Sequence, residues 1–216
     1  MIMANENYEQ VLNLLLEAIN SGKNGGAPAG IPVGVSNHHI HLSQADQDKL
    51  FGPGYQLTSI KDLSQPGQFA CKETVTIVGP KGAIEKIRVL GPVRKQTQVE
   101  ILAGDGFKLG VKAPARLSGD LAGTPGITIV GPKGSVQIPE GVIVAQRHVH
   151  MLPQEAAQYG VKDGDIVSLK VDGPRGGTLD NVAIRATSTS ALECHVDTEE
   201  ANAFGMSSAT KVTIVK

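Results

Sequence analysis

Aromatic residues make up only 3% of the 216 residues, and tryptophan is absent. A core without aromatic bulk has to be built from Val, Ile, Leu and Ala, which the 40% hydrophobic content can supply. Cysteine is almost missing as well. Cys71 and Cys194 cannot form a disulfide framework, and nothing points to an oxidising compartment. No charge of one sign dominates, since 20 basic residues face 21 acidic ones for a net charge of −1. That balance excludes a general field favouring nucleic acid or anionic lipid, so an anionic ligand would need local Arg and Lys. No apolar run approaches the roughly 20 residues of a membrane span. The N-terminus also lacks the basic start and small-residue cleavage site of a signal peptide. A cytoplasmic protein without membrane or nucleic-acid partners is the expectation.

What is present has a clear order. Asn5–Ser21 places Tyr8, Val11, Leu12, Leu15 and Ile19 at helical spacing, and "GKNGGAPAG" (Gly22–Gly30) follows as a flexible connector. This amphipathic helix on a tether reads either as packing on the main body or as a peptide that recruits a partner or shell. From Ile31 onward, short Val/Ile/Thr-rich runs such as "ETVTIVGPKG", "GITIVGPKG" and "DIVSLKVDGPRGG" alternate with Gly-Pro and Gly-Asp turns. That is the pattern of a mainly β fold, barrel or sandwich, with closely spaced strands. Short helices are expected in "LSQADQDKLF", with Ser43 as N-cap, and in "MLPQEAAQYG", with Pro153 in the first turn and Gly160 at the end.

Six histidines occur, and five lie in "NHHIHLS" (Asn37–Ser43) and "QRHVHML" (Gln146–Leu152). The chain repeats itself around them. Glu100 stands 21 residues after Gly79 of "GPKG", and His195 stands 22 residues after Gly173 of "GPRG". The first half carries extra residues, most simply in "FGPGYQLTSIKDLSQPGQ". His39 and His41 thus correspond to His148 and His150, and Glu100 to His195.

Residues two apart in a strand share a face. The candidate ligands therefore lie opposite Ile40, Leu42, Val149, Met151, Val99, Ile101, Cys194 and Val196, which argues against ordinary core histidines. Two sets of two histidines plus Glu or His suit Zn²⁺ best, with Co²⁺, Ni²⁺ and Mn²⁺ as alternatives, and three ligands per ion leave an open position. Arg88, Arg94, Arg116, Arg147, Lys61 and Lys112 lie near these segments. Each reads ordinarily as a solvated charge, but Arg94, just before Glu100, could reach an anion held by the metals. A binuclear zinc hydrolase and a cupin-like metal module use related patterns. The first needs a larger barrel with helix-length segments, and the second a single site.

"GVSNHHIHLS", "GPVRKQTQVEI", "PARLSGDLAGTPGI", "QRHVHM" and "ECHVDTEEAN" together resemble the phosphate propanoyltransferases of the PduL type, the phosphotransacylases of bacterial microcompartments. The resemblance runs from Ile31 to Lys216 and departs at His38, where the family commonly carries Arg. It implies two β-barrels capped by short helices with interleaved connectivity: residues 31–37 with 146–216 in one barrel, 38–145 in the other with an inserted loop at about 52–72, and residues 1–30 as helix and linker. It implies two zinc ions held by His39, His41, Glu100, His148, His150 and His195, an essential Arg94, and coenzyme A contacts at Ser36, Lys61, Arg88, Leu90, His195 and Asn202. The implied reaction converts acyl-CoA (propanoyl or acetyl) plus phosphate to acyl phosphate plus CoA, in either direction. No protein nucleophile is needed, so Cys71 and Cys194 would be dispensable. A homo-oligomer, a microcompartment location and shell or cargo partners for the N-terminal helix complete the expectation.

Overall fold

The computed structural model describes residues 30–215; the expected N-terminal helix lies outside the described residues. Strands β1 (Ile31–Ser36) and β2 (His39–Ser43) lead into helix α1 (Gln44–Phe51). Next come β3 (Ser59–Asp62), β4 (Phe69–Val78), β5 (Ala83–Arg94), β6 (Gln98–Glu100) and helix α2 (Ala103–Leu109). Short strands β7 (Ala115–Arg116), β8 (Ile127–Val130), β9 (Ser135–Ile138) and β10 (Val142–Ala145) follow. The last part holds β11 (His148–Met151), helix α3 (Pro153–Tyr159), β12 (Ile166–Val171), β13 (Gly177–Ala186), β14 (Glu193–Asp197), helix α4 (Thr198–Phe204) and β15 (Lys211–Val215).

The protein is mainly β, and its connectivity is interleaved. β1 leaves its sequence neighbours and closes a six-stranded barrel in the order β1-β14-β11-β13-β12-β15. Everything from β2 to β10 forms the other sheet, in the order β7-β10-β6-β2-β5-β4-β8-β9, with β3 on β4. This second sheet, expected as a barrel, is a curled half-barrel. Its end strands are two and four residues long, too short to offer a closing ladder to each other. Helix α1 seals the β9 end instead, where the Leu50 carbonyl accepts from the Lys133 N–H at 3.0 Å. The segment expected as an inserted loop contains β3, which is paired antiparallel with β4.

The chain passes between the two sheets twice, and each passage takes two residues. Asn37 and His38 separate β1 from β2, and Gln146 and Arg147 separate β10 from β11. Both histidine pairs begin as soon as the crossing is made. Alternation then divides each strand between two environments. Ile40, Leu42, Val89, Val99 and Ile101 enter the core of the half-barrel, while Val149, Met151, Ile184, Cys194 and Val196 enter that of the closed barrel.

Each of the four strands that carry candidate ligands ends in a helix, and a carboxylate stands at the third helical position each time. Ser43 Oγ caps α1 by accepting from the Asp46 N–H. Asp105 and Glu155 accept from the backbone N–H groups of Leu102 and Leu152 at 3.1 and 2.7 Å. Asp197 and Glu200 cap α4 reciprocally. These bonds satisfy amides that a helix start leaves unpaired and place negative charge at the positive end of the dipole. The expected cap at Ser43, Pro153 in the first turn of α3 and Gly160 after it are all found.

The packing that fixes the histidines can be tested on their strand neighbours. Ile40→Ala and Met151→Ala each remove a side chain with no solvent exposure. Each should cost about 2–5 kcal/mol in chemical denaturation. A cost below about 1 kcal/mol would mean that these residues do not anchor the strands.

Candidate functional site

Both ladders repeat one register. His39 lies opposite Glu100 across the antiparallel β2–β6 pair, and His148 lies opposite His195 across β11–β14. Each histidine pair is also flanked by a parallel neighbour, β5 for β2 and β13 for β11. Two triads result, His39–His41–Glu100 and His148–His150–His195, and within each the potential ligand atoms lie within 4.8 Å of one another. The triads face one cleft of about 720 Å³ between the two sheets.

The leading histidines are oriented in the same way. His39 Nδ1 donates to the Asn37 carbonyl at 2.8 Å, and His148 Nδ1 to the Gln146 carbonyl at 2.7 Å. A carbonyl only accepts, so each bond puts a proton on Nδ1 and leaves Nε2 as the lone pair of the neutral ring. These Nε2 atoms converge with their partners: His39 Nε2 is 3.3 Å from Glu100 Oε2, and His148 Nε2 is 3.1 Å from His150 Nε2. Such a carbonyl behind a ligand is the usual support of a metal-bound imidazole.

The electrostatics differ between the triads. Burial pushes His41 well below the ordinary imidazole value, with His39 and Arg94 adding to the effect. Burial and His195 lower His148 to about 4, and burial with the neighbouring histidines lowers His150 to about 3. These three rings are neutral at pH 7, the form that ligates. His39 is held above its ordinary value, because the Glu100 carboxylate outweighs the effect of burial. Glu100 in turn stays well below the usual carboxylate range despite burial, mainly through His39.

Each group offers imidazole or carboxylate donors of the kind that hold a divalent cation. His41 Nδ1 is buried without a hydrogen-bond partner among the described residues, a costly arrangement unless a cation meets it. A cupin-like reading would need one cluster, and the cleft is lined by two.

A polar network stands behind Glu100. Gln98 is 1% exposed; its amide nitrogen donates to Glu100 Oε1 at 2.6 Å and to Ser118 Oγ at 2.8 Å, and its oxygen accepts from the Gly119 N–H. Arg94 donates to the same Ser118 oxygen at 2.7 Å. Behind His195 stands Glu193, whose Oε2 is 2.6 Å from His195 Nε2 and accepts from Ser64 Oγ. Ser64 and Gln65 follow β3, and Gln65 exchanges hydrogen bonds with the N–H and carbonyl of Ala191. The segment after β3 therefore reaches from the half-barrel onto the closed barrel beside the cleft.

Ser36, Lys61, Arg88, Leu90, Arg94 and His195 line the cleft with both triads. Asn202 is exposed on α4 and is not part of that lining. Arg116 and Arg147 are engaged elsewhere, with Asp120 and Glu200, and Lys112 is exposed away from the lining. The sequence reading missed Gln98, Ser118, Glu193 and Arg185. Gln98 and Glu193 stand two residues before Glu100 and His195, so strand alternation alone carried a signal for them. Both cysteines lie in the two cores, and burial raises the Cys71 thiol to about 11 and the Cys194 thiol to about 12. Neither is a thiolate available to the cleft.

A family model described as phosphate propanoyltransferase matches residues 32–207. A phosphate propanoyltransferase of Thermotoga maritima is 60% identical over 188 residues, covering 87% of this chain and 90% of the relative. One from Rhodobacter capsulatus is 57% identical over 189 residues, covering 88% of each. One from Rhodopseudomonas palustris is 49% identical over 225 residues and covers both chains fully.

The network behind Glu100 gives a direct test. Gln98→Ala leaves the Gly119 N–H and one Glu100 oxygen without their partner and should cost about 1–3 kcal/mol. Gln96→Ala, which removes only an exposed bond to Glu140, should fall within about 0.5 kcal/mol of wild type. Equal thermal midpoints for the two variants would dismiss the network as a support.

Proposed function

The chain belongs to the phosphate propanoyltransferase family and is an acyltransferase, and from that premise we propose that it interconverts acyl-CoA plus phosphate with acyl phosphate plus CoA at a two-zinc site. The observation that carries the proposal is the pair of triads, His39–His41–Glu100 and His148–His150–His195, facing one cleft. These six residues would hold the ions. Bound there, dications supply positive charge that orients phosphate oxygens and offsets the charge developing as the thioester carbonyl is attacked.

The chain's own groups account for the rest. Glu100 contributes the one carboxylate of the set, fixed by Gln98 on one oxygen and facing His39 with the other. Arg94 presents a guanidinium anchored on Ser118, whose planar fork suits the oxygens of a phosphate. Ser36, Lys61, Arg88 and Leu90 line the same cleft and are assigned to coenzyme A together with His195 and with Asn202, which is exposed on α4 outside that lining. Phosphate oriented by the Arg94 guanidinium attacks the thioester carbonyl, and CoA leaves as thiolate. In reverse, the CoA thiolate attacks the acyl phosphate. No covalent acyl-enzyme is required, consistent with two cysteines sealed in the cores.

The N-terminal stretch Asn5–Ser21 on its Gly-rich tether is assigned to recruitment, toward shell or cargo proteins of a bacterial microcompartment. Shortened at Ile31, the protein should retain full activity while losing that recruitment. An inactive or insoluble truncated protein would make the segment part of the folded body.

The chemistry is tested by CoA release from propanoyl-CoA and acetyl-CoA. Release should require phosphate, stop after chelation, and return when zinc is restored, with about two zinc ions per chain by elemental analysis. Arg94→Ala should lose on the order of 10²–10³ in kcat, the usual effect of removing one preorganised donor. Undiminished activity after chelation and in Arg94→Ala would sink the proposal.

A further inference from the structure

The chain has six arginines, and five have partners. Arg88 donates to the carbonyls of Cys71 and Lys72 at 2.9 and 2.8 Å, and Arg94 to Ser118. Arg116 pairs with Asp120, Arg147 with Glu200 at 2.7 Å, and Arg175 donates to the Ala203 carbonyl. Arg185 has no hydrogen bond and no ion pair among the described residues, although it is partly buried. A guanidinium carries five N–H donors in a rigid fork, and withdrawing it from water without an acceptor is costly.

Its position is as specific as its isolation. On β13, Arg185 lies directly across from His150 of β11. Ile184 beside it is 1% exposed in the barrel core, so Arg185 takes the opposite face and lines the cleft with His148, His150 and Arg94. Its charge is near enough to oppose protonation of Arg94 and both of those histidines. The acidic groups of the cleft do not compensate it. Glu100 is engaged with His39 and Gln98, Glu193 with His195 and Ser64, and Asp197 with the start of α4. Asp62 lies on an exposed strand. Beside Arg88, which is spent on two backbone carbonyls, Arg94 from the half-barrel and Arg185 from the closed barrel thus line one cleft with neutral imidazoles, and Arg185 has no anion among the described residues. Such an arrangement is complete only when an anion is bound.

Building on the phosphate acyltransfer reading, we infer that Arg185 is the second arm of a clamp on the transferred phosphate, reaching from the closed barrel to the group that Arg94 holds from the half-barrel. The fork spans two phosphate oxygens, and the pairing of arms from separate sheets fixes the direction in which the phosphate approaches the thioester.

The test compares wild type with Arg185→Ala and Arg185→Lys. In Arg185→Ala the KM for phosphate should rise about 10- to 100-fold, the effect of losing one charge-assisted contact, while the KM for propanoyl-CoA stays within about twofold. Added guanidinium ion should restore part of the loss. Arg185→Lys, which keeps the charge without the fork, should lie between the two. Calorimetric titration of the zinc-loaded protein with inorganic phosphate should show the same weakening without turnover, at unchanged zinc content and thermal midpoint. If Arg185→Ala does not fold, Arg185→Lys carries the comparison. A rise confined to the KM for propanoyl-CoA would reassign Arg185 to the phosphates of coenzyme A and overturn the inference, as would unchanged values for both substrates. A wild-type protein without phosphate-dependent CoA release would overturn the acyltransfer reading itself. Wild type that is active alongside an unaltered Arg185→Ala would overturn only the clamp.

Discussion

The bond from a histidine Nδ1 to the carbonyl two residues earlier is what the rest of the site depends on. It occurs at Asn37–His39 and again at Gln146–His148, at the two places where the chain crosses between sheets. The crossing leaves a carbonyl outside any ladder, and the imidazole satisfies it. In return the carbonyl fixes the tautomer and aims Nε2 at the cleft. One bond therefore solves a backbone problem and a ligand problem together. Because each crossing takes only two residues, the ligand strands begin at the seam between the sheets and cannot drift from it.

Electrostatics reinforce that geometry. The protein withdraws five histidines and a glutamate from water at one seam and leaves three rings with strongly lowered basicity. Charged imidazoles would repel each other and the nearby arginines. Neutral ones leave lone pairs converging from opposite strands. The apolar strand faces that anchor the histidines are what hold these buried groups together at the seam. Helix capping at the far end of each of these four strands limits fraying there.

Much of this was readable from residue order. Alternation assigned Ile40, Leu42, Val149 and Met151 to the cores and the histidines to the other face, because period two in a strand leaves no other choice when one face is apolar. The repeat offset that matched Glu100 with His195 anticipated two identical registers. What stayed hidden depends on pairing between distant segments. Arg185 looks like an ordinary surface charge until β13 is laid parallel to β11. Gln98 looks like a polar strand residue until Ser118, twenty positions away, closes the network. Strand spacing records how many strands exist and not whether the end strands are long enough to meet, so a half-barrel and a closed barrel look alike in the sequence. The motif around Asn202 does not specify a helix register, and its side chain is exposed on α4.

The two halves match in scaffold and differ in charge, and the difference explains how a duplicated framework serves one asymmetric reaction. Glu100 in one half is His195 in the other, so one triad has a carboxylate and the other only imidazoles. Opposite the histidine pairs the assignment is reversed: Leu90 faces His41, whereas Arg185 faces His150. The half-barrel recovers its own arginine through a register shift that brings Arg94 opposite Ser43, beyond the histidines. A symmetric seam would present the same field to both ends of a substrate. Here the imidazole triad, with less negative charge of its own, has the unpaired guanidinium beside it, and the carboxylate triad lies nearer the anchored one. An anion entering such a seam would meet guanidinium groups from both sheets, with a carboxylate in the triad at one end and imidazoles alone at the other. That inequality gives the cleft a direction, which a transfer between two unlike groups requires.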